Sequence, residues 1–341
     1  MVEVLLSERA YQSHGHRFAE IDAELRLVRV RGDGSLVVDD AELELDQAAP
    51  EVAWLTAEAL YDGVAARFFD VVRACPTVRW VHSPAAGTDL PVYRGVDWTR
   101  VRLTSAHVNA IPIAEYVIGG VLEHFQGWRD WHDAQARTAW EYHEFREVWN
   151  TTWLVIGVGA IGSAVAERVR AFGAHVIGVR RHPRGDEPVD EMIDPSDLLA
   201  AAPRADVVVI SAPGTSETHH LVDDAFLRAM KTDSVIVNIA RGSIIDEDAL
   251  ARALDRGVPA LAILDTFATE PLPPDHAFWK HPRVVVTPHS SNGGTARHLR
   301  AVDAFLDNLR RYLRGEDLHG LVDPAAIKPR VRKEPAGRDQ Q

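Results

Sequence analysis

The run Gly157-Val158-Gly159-Ala160-Ile161-Gly162 stands directly after the apolar stretch Trp153 to Ile156 and opens a helical pattern, Ile161 to Phe172. Three glycines at that spacing, between a strand and a helix, constrain this chain more than any other feature. The first permits a tight turn. The second lets the backbone approach a pyrophosphate, and the third lets helix and strand pack closely, while the start of the helix leaves free N–H groups facing an anion. The ligand expected on such a turn is a dinucleotide; the competing reading is a glycine-rich turn with no ligand.

Around this unit, short apolar runs alternate with helix-length segments. Val78 to Ser83, Trp153 to Ile156, Ala174 to Val179, Asp206 to Ser211, Ser234 to Ile239, Leu261 to Leu264 and Arg283 to Thr287 read as strands. Ile113 to Phe125, Ile161 to Phe172, Asp223 to Met230 and Glu247 to Arg256 read as helices. The strands are near-continuous apolar runs, the pattern of a parallel sheet covered on both faces. A doubly wound α/β sheet with right-handed crossovers is expected. The first hundred residues alternate more weakly, with strands at Glu3 to Ser7, Arg26 to Arg31 and Val52 to Thr56, and imply a second, smaller α/β domain. Thr295 to Leu313 is one amphipathic helix carrying Leu299, Val302, Phe305, Leu306, Leu309 and Leu313 at helical spacing.

Composition narrows the partners. A chain of 341 residues suits two domains, and its net charge of −13 repels phosphate backbones and anionic membranes. Neither a nucleic acid nor a membrane is an expected partner. The single cysteine, Cys75, excludes an internal disulfide and a cysteine-built zinc site. With no signal-like start and no apolar run of about 18 residues, a reducing, cytoplasmic setting is expected. No metal site is expected.

Dinucleotide units that take NAD carry an acidic residue about 20 positions past the first glycine, at the end of the second strand, for the adenosine ribose. Here that strand runs into Val179-Arg180-Arg181-His182-Pro183-Arg184. A guanidinium there can hold a 2′-phosphate, so NADPH is the expected cofactor, with Arg180 and Arg181 as its contacts. NAD remains possible if another group holds the ribose. Three further segments follow strand ends: Asn238-Ile239-Ala240-Arg241-Gly242, Asp265-Thr266-Phe267-Ala268-Thr269-Glu270-Pro271 and Thr287-Pro288-His289-Ser290-Ser291. That edge is where open α/β sheets bind ligands. Arg can clamp a carboxylate and polarise the adjacent carbonyl. His can give or take a hydroxyl proton, and Glu can fix its tautomer and favour its protonated form. Hydride transfer to a 2-oxo acid needs that combination.

These segments, with Trp80-Val81-His82-Ser83-Pro84-Ala85-Ala86-Gly87-Thr88-Asp89, Ile113-Ala114-Glu115-Tyr116 and Glu270-Pro271-Leu272-Pro273, give the chain its resemblance to the D-isomer-specific 2-hydroxyacid dehydrogenase family from about Val78 to Asp323. The resemblance implies a Rossmann-type sheet inserted into a smaller flavodoxin-like α/β substrate domain. Residues 1–104 with 291–323 would form the substrate domain and 105–290 the dinucleotide domain; residues 324–341, rich in Lys, Arg, Pro and Gly, read by their composition as a flexible tail. The resemblance also implies Arg241, Glu270 and His289 as the catalytic set and Ala85, Ala86 and Gly87 as amide donors to the substrate carboxylate. Gly157, Gly159, Ala160, Ile161, Gly162, Ala212, Pro213, Ile239, Ala240, Asp265 and His289 would line the cofactor, Asp265 on the nicotinamide carboxamide. The implied reaction is reduction of a small 2-oxo acid of the glyoxylate or hydroxypyruvate type. NAD-linked oxidation of a 2-hydroxy acid and a non-catalytic dinucleotide-sensing corepressor are the alternatives. Two positions depart from the family pattern: Arg180 replaces the ribose acid of many relatives, and Thr266 stands where several have Val. Glu270, rather than Gln, disfavours the formate dehydrogenase variant. Trp128, Trp131, Trp140, Trp149 and Trp153 are five of nine tryptophans, in a region that helps form a dimer in the family, so a homodimer is expected.

Overall fold

The apolar runs form strands because each can bury side chains on both faces of a sheet. In the computed structural model, which describes residues 1–85, 87–88 and 90–327, Val207–Ile210 is buried along its whole length. Its alternate side chains enter different cores. Val208 and Ile210 join one with Leu154, Ile156 and Ile236, while Val207 and Val209 join the other with Trp153, Val155 and Val237. A period of two thereby feeds two hydrophobic layers from one apolar run.

The chain divides into two units, Asn109–Gly294 and Met1–Val108 with the chain from Thr295 onward. The second of these holds seven strands: β1 (Val2–Ser7), β2 (Leu25–Val30), β3 (Leu36–Val38), β4 (Ala41–Leu43), β5 (Val52–Trp54), β6 (Trp80–Ser83) and β7 (Arg102–Ser105). Their order is β4-β3-β2-β1-β5-β6-β7, with β2, β1, β5, β6 and β7 parallel and β3 and β4 added antiparallel at one edge. The parallel part has the flavodoxin order. Helix Ala65–Ala74 covers one face through Phe68, Phe69 and Val72. The returning helix Arg297–Leu313 covers the other with Phe305, Leu306 and Leu309, Phe305 stacking on Trp54 at 4.5 Å.

The unit Asn109–Gly294 holds β8 (Thr152–Ile156), β9 (His175–Val179), β10 (Glu191–Ile193), β11 (Val207–Ile210), β12 (Val235–Asn238), β13 (Leu261–Leu264) and β14 (Val284–Val286). The order is β10-β9-β8-β11-β12-β13-β14, and every pairing is parallel. This is the doubly wound dinucleotide sheet with one further strand, and its order reverses between β8 and β11. Helices Ala110–Gln126 and Ala160–Ala171 cover one face with Val117, Val121, Val165 and Val169; Asp224–Ala229 and Glu247–Asp255 cover the other with Leu227, Leu250 and Leu254. The last two begin on aspartate caps, Asp223 accepting from the Phe226 N–H and Asp246 from the Ala249 N–H, each at 2.9 Å.

The expected tail at 324–341 lies outside the described residues from 328 on. Pro324–Ala326 forms a 3-10 turn started by Asp323, and Ile327 is buried in a core of the unit that holds β1 to β7. Trp153 parts from the other tryptophans of its cluster: it is fully buried in the sheet, whereas Trp128, Trp140 and Trp149 are exposed. Among the described residues no helix is long and apolar enough to cross a membrane, and no group of three His, Cys, Asp or Glu could hold a metal ion.

Candidate active site

The glycine turn follows β8, and the three glycines meet three different surroundings. A Cβ on Gly157, whose φ is +97°, would lie 2.5 Å from the Ala212 nitrogen, so the turn packs against the end of the neighbouring β11. One on Gly162 would lie 2.2 Å from the Gly157 carbonyl oxygen, which fixes the close approach of helix and turn. One on Gly159 would meet nothing within 4 Å. Helix Ala160–Ala171 starts on Gly159 with no side-chain cap among the described residues, in contrast to the aspartate-capped helices, so its first N–H groups have no side-chain acceptor there. The switch point between β8 and β11 thus presents an uncapped helix start beside a glycine with room in front of it. These residues fit a dinucleotide pyrophosphate.

The remaining site candidates of this unit leave the same edge of the sheet. Arg180 follows β9, Ala212 and Pro213 follow β11, Ile239, Ala240 and Arg241 follow β12, Asp265 and Glu270 follow β13, and His289 follows β14. The structure brings Glu270 and His289 together. Glu270 Oε2 accepts from His289 Nδ1 at 2.9 Å, and Glu270 Oε1 accepts from the Phe267 N–H at 3.0 Å. Both carboxylate oxygens are therefore fixed, and the second imidazole nitrogen, Nε2, is the one that Glu270 does not engage. A cavity of about 460 Å³ lies beside the pair, lined by Phe267, Pro271, Leu272, Trp279, Val286 and Pro288. Arg241 donates from Nη1 to the Ala240 carbonyl at 2.7 Å. Its neighbour Gly242 presses on the Glu270 loop, where a Cβ would lie 1.9 Å from the Phe267 carbonyl carbon. Glu247 holds that loop from the other side, accepting from the Ala268 N–H at 2.8 Å.

His289 has left-handed backbone, with φ +49°, which a non-glycine residue keeps only when its surroundings over-determine it. Asp265 supplies that determination. Fully buried, it accepts from Thr287 Oγ1 at 2.6 Å and from the Ser290 N–H at 2.8 Å, with the Ser291 N–H shared between its oxygens, while its carbonyl takes the His289 N–H at 2.9 Å. Since Thr287 donates to Asp265, its oxygen accepts from Tyr116, 2.8 Å away. Burial pushes the Tyr116 hydroxyl up to about 12, so it stays a donor. The Tyr116–Thr287–Asp265 chain was not legible in the sequence, where Tyr116 and Thr287 sit 171 positions apart. Thr266 Oγ1 is buried without a partner among the described residues, and nothing in the structure explains it.

Beside Arg180 the structure adds a group that the sequence did not point to. A carboxylate does stand there: Glu187 Oε1 lies 3.3 Å from Arg180 Nη1, brought back by the loop after β9. The spacing rule looks for an acid at the strand end and passes over one that returns from a loop. The same Arg180 nitrogen donates to the Val158 carbonyl at 2.7 Å. Arg184 pairs with Asp186 at 3.2 Å, while Arg181 is exposed. In the other unit, the Ala85 N–H already donates to Ser83 Oγ at 3.2 Å, Gly87 follows in irregular backbone, and Ala86 lies outside the described residues.

Residues 118–291, just over half of the chain, match the family model described as D-isomer specific 2-hydroxyacid dehydrogenase, NAD binding domain. The chain is 34% identical over 187 residues to a glyoxylate reductase of Korarchaeum cryptofilum, covering 54% of this chain and 55% of that one. It is 30% identical over 209 residues to glyoxylate/hydroxypyruvate reductase A of Serratia proteamaculans, covering 61% and 66%. The chain therefore spans between about half and two thirds of the length of these curated relatives. The crystal structure of a D-isomer specific 2-hydroxyacid dehydrogenase from Xanthobacter autotrophicus Py2 in complex with NADPH and MES superposes with a TM-score of 0.71 at 26% identity, covering 95% of this chain and 98% of that one. Sheet order, glycine turn and family match agree: this chain belongs to the D-isomer specific 2-hydroxyacid dehydrogenase family.

Proposed function

We propose that this chain reduces a small 2-oxo acid, of the glyoxylate or hydroxypyruvate type, to the D-2-hydroxy acid with NADPH. The observation that carries the proposal is the 2.9 Å bond between His289 Nδ1 and Glu270 Oε2. A carboxylate only accepts at that contact, so Nδ1 holds a hydrogen and Nε2 is the atom that exchanges a proton with substrate. Bound on the glycine turn, the dinucleotide supplies a hydride when reduced and takes one up when oxidised. In the reducing direction the carbonyl carbon gains the hydride and the carbonyl oxygen takes a proton from His289 Nε2. Arg241 binds the substrate carboxylate and polarises the adjacent carbonyl. The substrate domain is the unit containing β1 to β7, with the Gly87 amide as a donor to the substrate carboxylate. The relatives named for glyoxylate and hydroxypyruvate support the substrate class, and the NADPH-bound Xanthobacter structure supports the cofactor.

The test is NADPH consumption with glyoxylate, hydroxypyruvate, pyruvate and longer 2-oxo acids, repeated with His289→Ala. That variant is expected to lose about 10²- to 10⁴-fold in kcat, the contribution of a placed general acid, with NADPH affinity within about twofold of the parent. Near-normal turnover by His289→Ala would overturn the assignment. Absence of turnover with any 2-oxo acid, alongside intact dinucleotide binding, would favour a non-catalytic sensor.

We further propose a homodimer built on the exposed aromatic surface of the Asn109–Gly294 unit. Trp140, Tyr142, Phe145 and Trp149 are exposed, and the same unit carries a groove lined by Gly119, Leu122, Glu123, Gln126, Trp128 and His132. Exposed aromatics this dense mark an interaction surface. Sedimentation should give twice the chain mass at micromolar concentration, and Trp140→Asp with Trp149→Asp should give the monomer; a monomeric parent rejects this assembly.

A further inference from the structure

We propose that Glu187 sets how far this chain discriminates between dinucleotides with and without a 2′-phosphate, by neutralising Arg180 beside the glycine turn; the inference rests on the dinucleotide-linked reading above. The Glu187 side chain is only 2% exposed, and its oxygens accept from the N–H groups of Arg184 at 2.8 Å and Gly185 at 2.9 Å. It faces two cations, Arg180 at 3.3 Å and Arg184 at 3.9 Å. The Arg184 N–H first, then that of Gly185 and the Arg180 charge, hold its carboxyl below the usual carboxylate range, so it is ionised at neutral pH.

Arg180 is fixed twice through one nitrogen. Nη1 reaches both the Val158 carbonyl, at 2.7 Å, and Glu187. Its Nε–Nη2 edge has no partner among the described residues, and that is an edge able to take a phosphate bidentately. Glu187 could matter as an anchor or as a charge. Val158 remains as an anchor when Glu187 is removed, so the charge decides. A phosphate on the open edge would stand one guanidinium width from Glu187, inside the Debye length of about 8 Å at physiological salt. Close to two negative charges on the phosphate then meet a carboxylate that salt does not screen. The 2′-hydroxyl of the unphosphorylated ribose carries no charge and feels none of this repulsion. Glu187 thus acts through the Arg180 pair as a selectivity residue without touching the ligand.

The experiment is isothermal titration calorimetry of the full chain with 2′,5′-ADP and with 5′-AMP, for the parent, Glu187→Gln and Arg180→Met. Glutamine keeps one oxygen for the loop amides and removes the charge. The ratio of affinities, 2′,5′-ADP over 5′-AMP, is expected to rise about fivefold in Glu187→Gln, and a ratio that stays within twofold or falls overturns the proposal. Should Glu187→Gln fail to fold, Arg180→Met carries the test, because it leaves Glu187 uncompensated beside the phosphate. Its ratio is expected to fall about tenfold or more, and an unchanged ratio is equally fatal. If neither nucleotide binds the parent at millimolar concentration, the dinucleotide reading fails and this inference falls with it.

Discussion

Thr287 shows how one hydroxyl supports a site it does not enter. Its oxygen accepts from the Tyr116 hydroxyl and its hydrogen goes to Asp265, which in turn holds the amides on either side of the left-handed His289 turn. Thr287→Val would leave the buried Tyr116 hydroxyl without an acceptor and Asp265 one donor short. An unsatisfied buried polar group costs about 1–3 kcal/mol, so the midpoint of denaturant unfolding should fall accordingly. Turnover should fall as well, because His289 loses part of its backbone support. Tyr116→Phe removes one donor and leaves Thr287 bonded to Asp265, so its loss should stay near 0.5–1.5 kcal/mol, about the worth of one net hydrogen bond. A Thr287→Val protein no less stable than Tyr116→Phe would show that the relay does not carry the turn.

The strand–turn–helix element from β8 into Ala160–Ala171 separates folding from binding within six residues. A methyl group on Gly162 meets the Gly157 carbonyl oxygen at 2.2 Å, a backbone atom that cannot swing away. Gly162→Ala is therefore expected to destabilise by about 1–3 kcal/mol or more through overpacking, read as a lowered thermal midpoint. Gly159 has φ −92° and open space, so alanine fits its backbone and meets nothing in the chain. Gly159→Ala should fold with a thermal midpoint near the parent's yet weaken NADPH binding by about tenfold or more, because the added methyl projects where the pyrophosphate approaches. If Gly159→Ala bound NADPH as tightly as the parent, the cradle would lie elsewhere.

Across the whole molecule, each unit has its own sheet and its own pair of cores, so unfolding need not be a single transition. The units also differ in their response to acid. In the unit of β1 to β7, His82 is 1% exposed between Trp80 and Phe305, and its Nδ1 is 2.8 Å from Thr104 Oγ1. Burial drives its pKa down to about 3. Its unfolded value is near 6.5, so between those limits the unfolded chain binds a proton that the folded unit refuses. Stability is fully present above about pH 6.5 and declines as the pH falls towards 3, by up to about 1.4 kcal/mol per unit from this group. Denaturant unfolding at pH 7, 6 and 5 should show that slope in this unit's transition, and His82→Leu should flatten it. An unaltered slope in His82→Leu would assign the acid sensitivity to other groups.

The sequence by itself determined what depends on short range and on periodicity. The parallel sheets were readable because strands covered on both faces must be apolar throughout, as in Val207–Ile210, and the glycine turn because strand, turn and helix are contiguous in the chain. Elements whose burial is polar gave no such signal. β7 carries Arg-Leu-Thr-Ser, and Thr104 is buried only because Trp80 Nε1 donates to it at 2.8 Å and His82 adjoins it. The three-residue strands β3, β4 and β10 are too short to show a period. At the site, residue types after strand ends suggested Arg241, Glu270 and His289, since the edge of a parallel sheet is fixed by topology. The bond between Glu270 and His289, the relay from Tyr116 to Asp265 and the pairing of Arg180 with Glu187 each join segments through space. Such contacts follow from which strands lie side by side and how their loops return, and only the tertiary structure decided them.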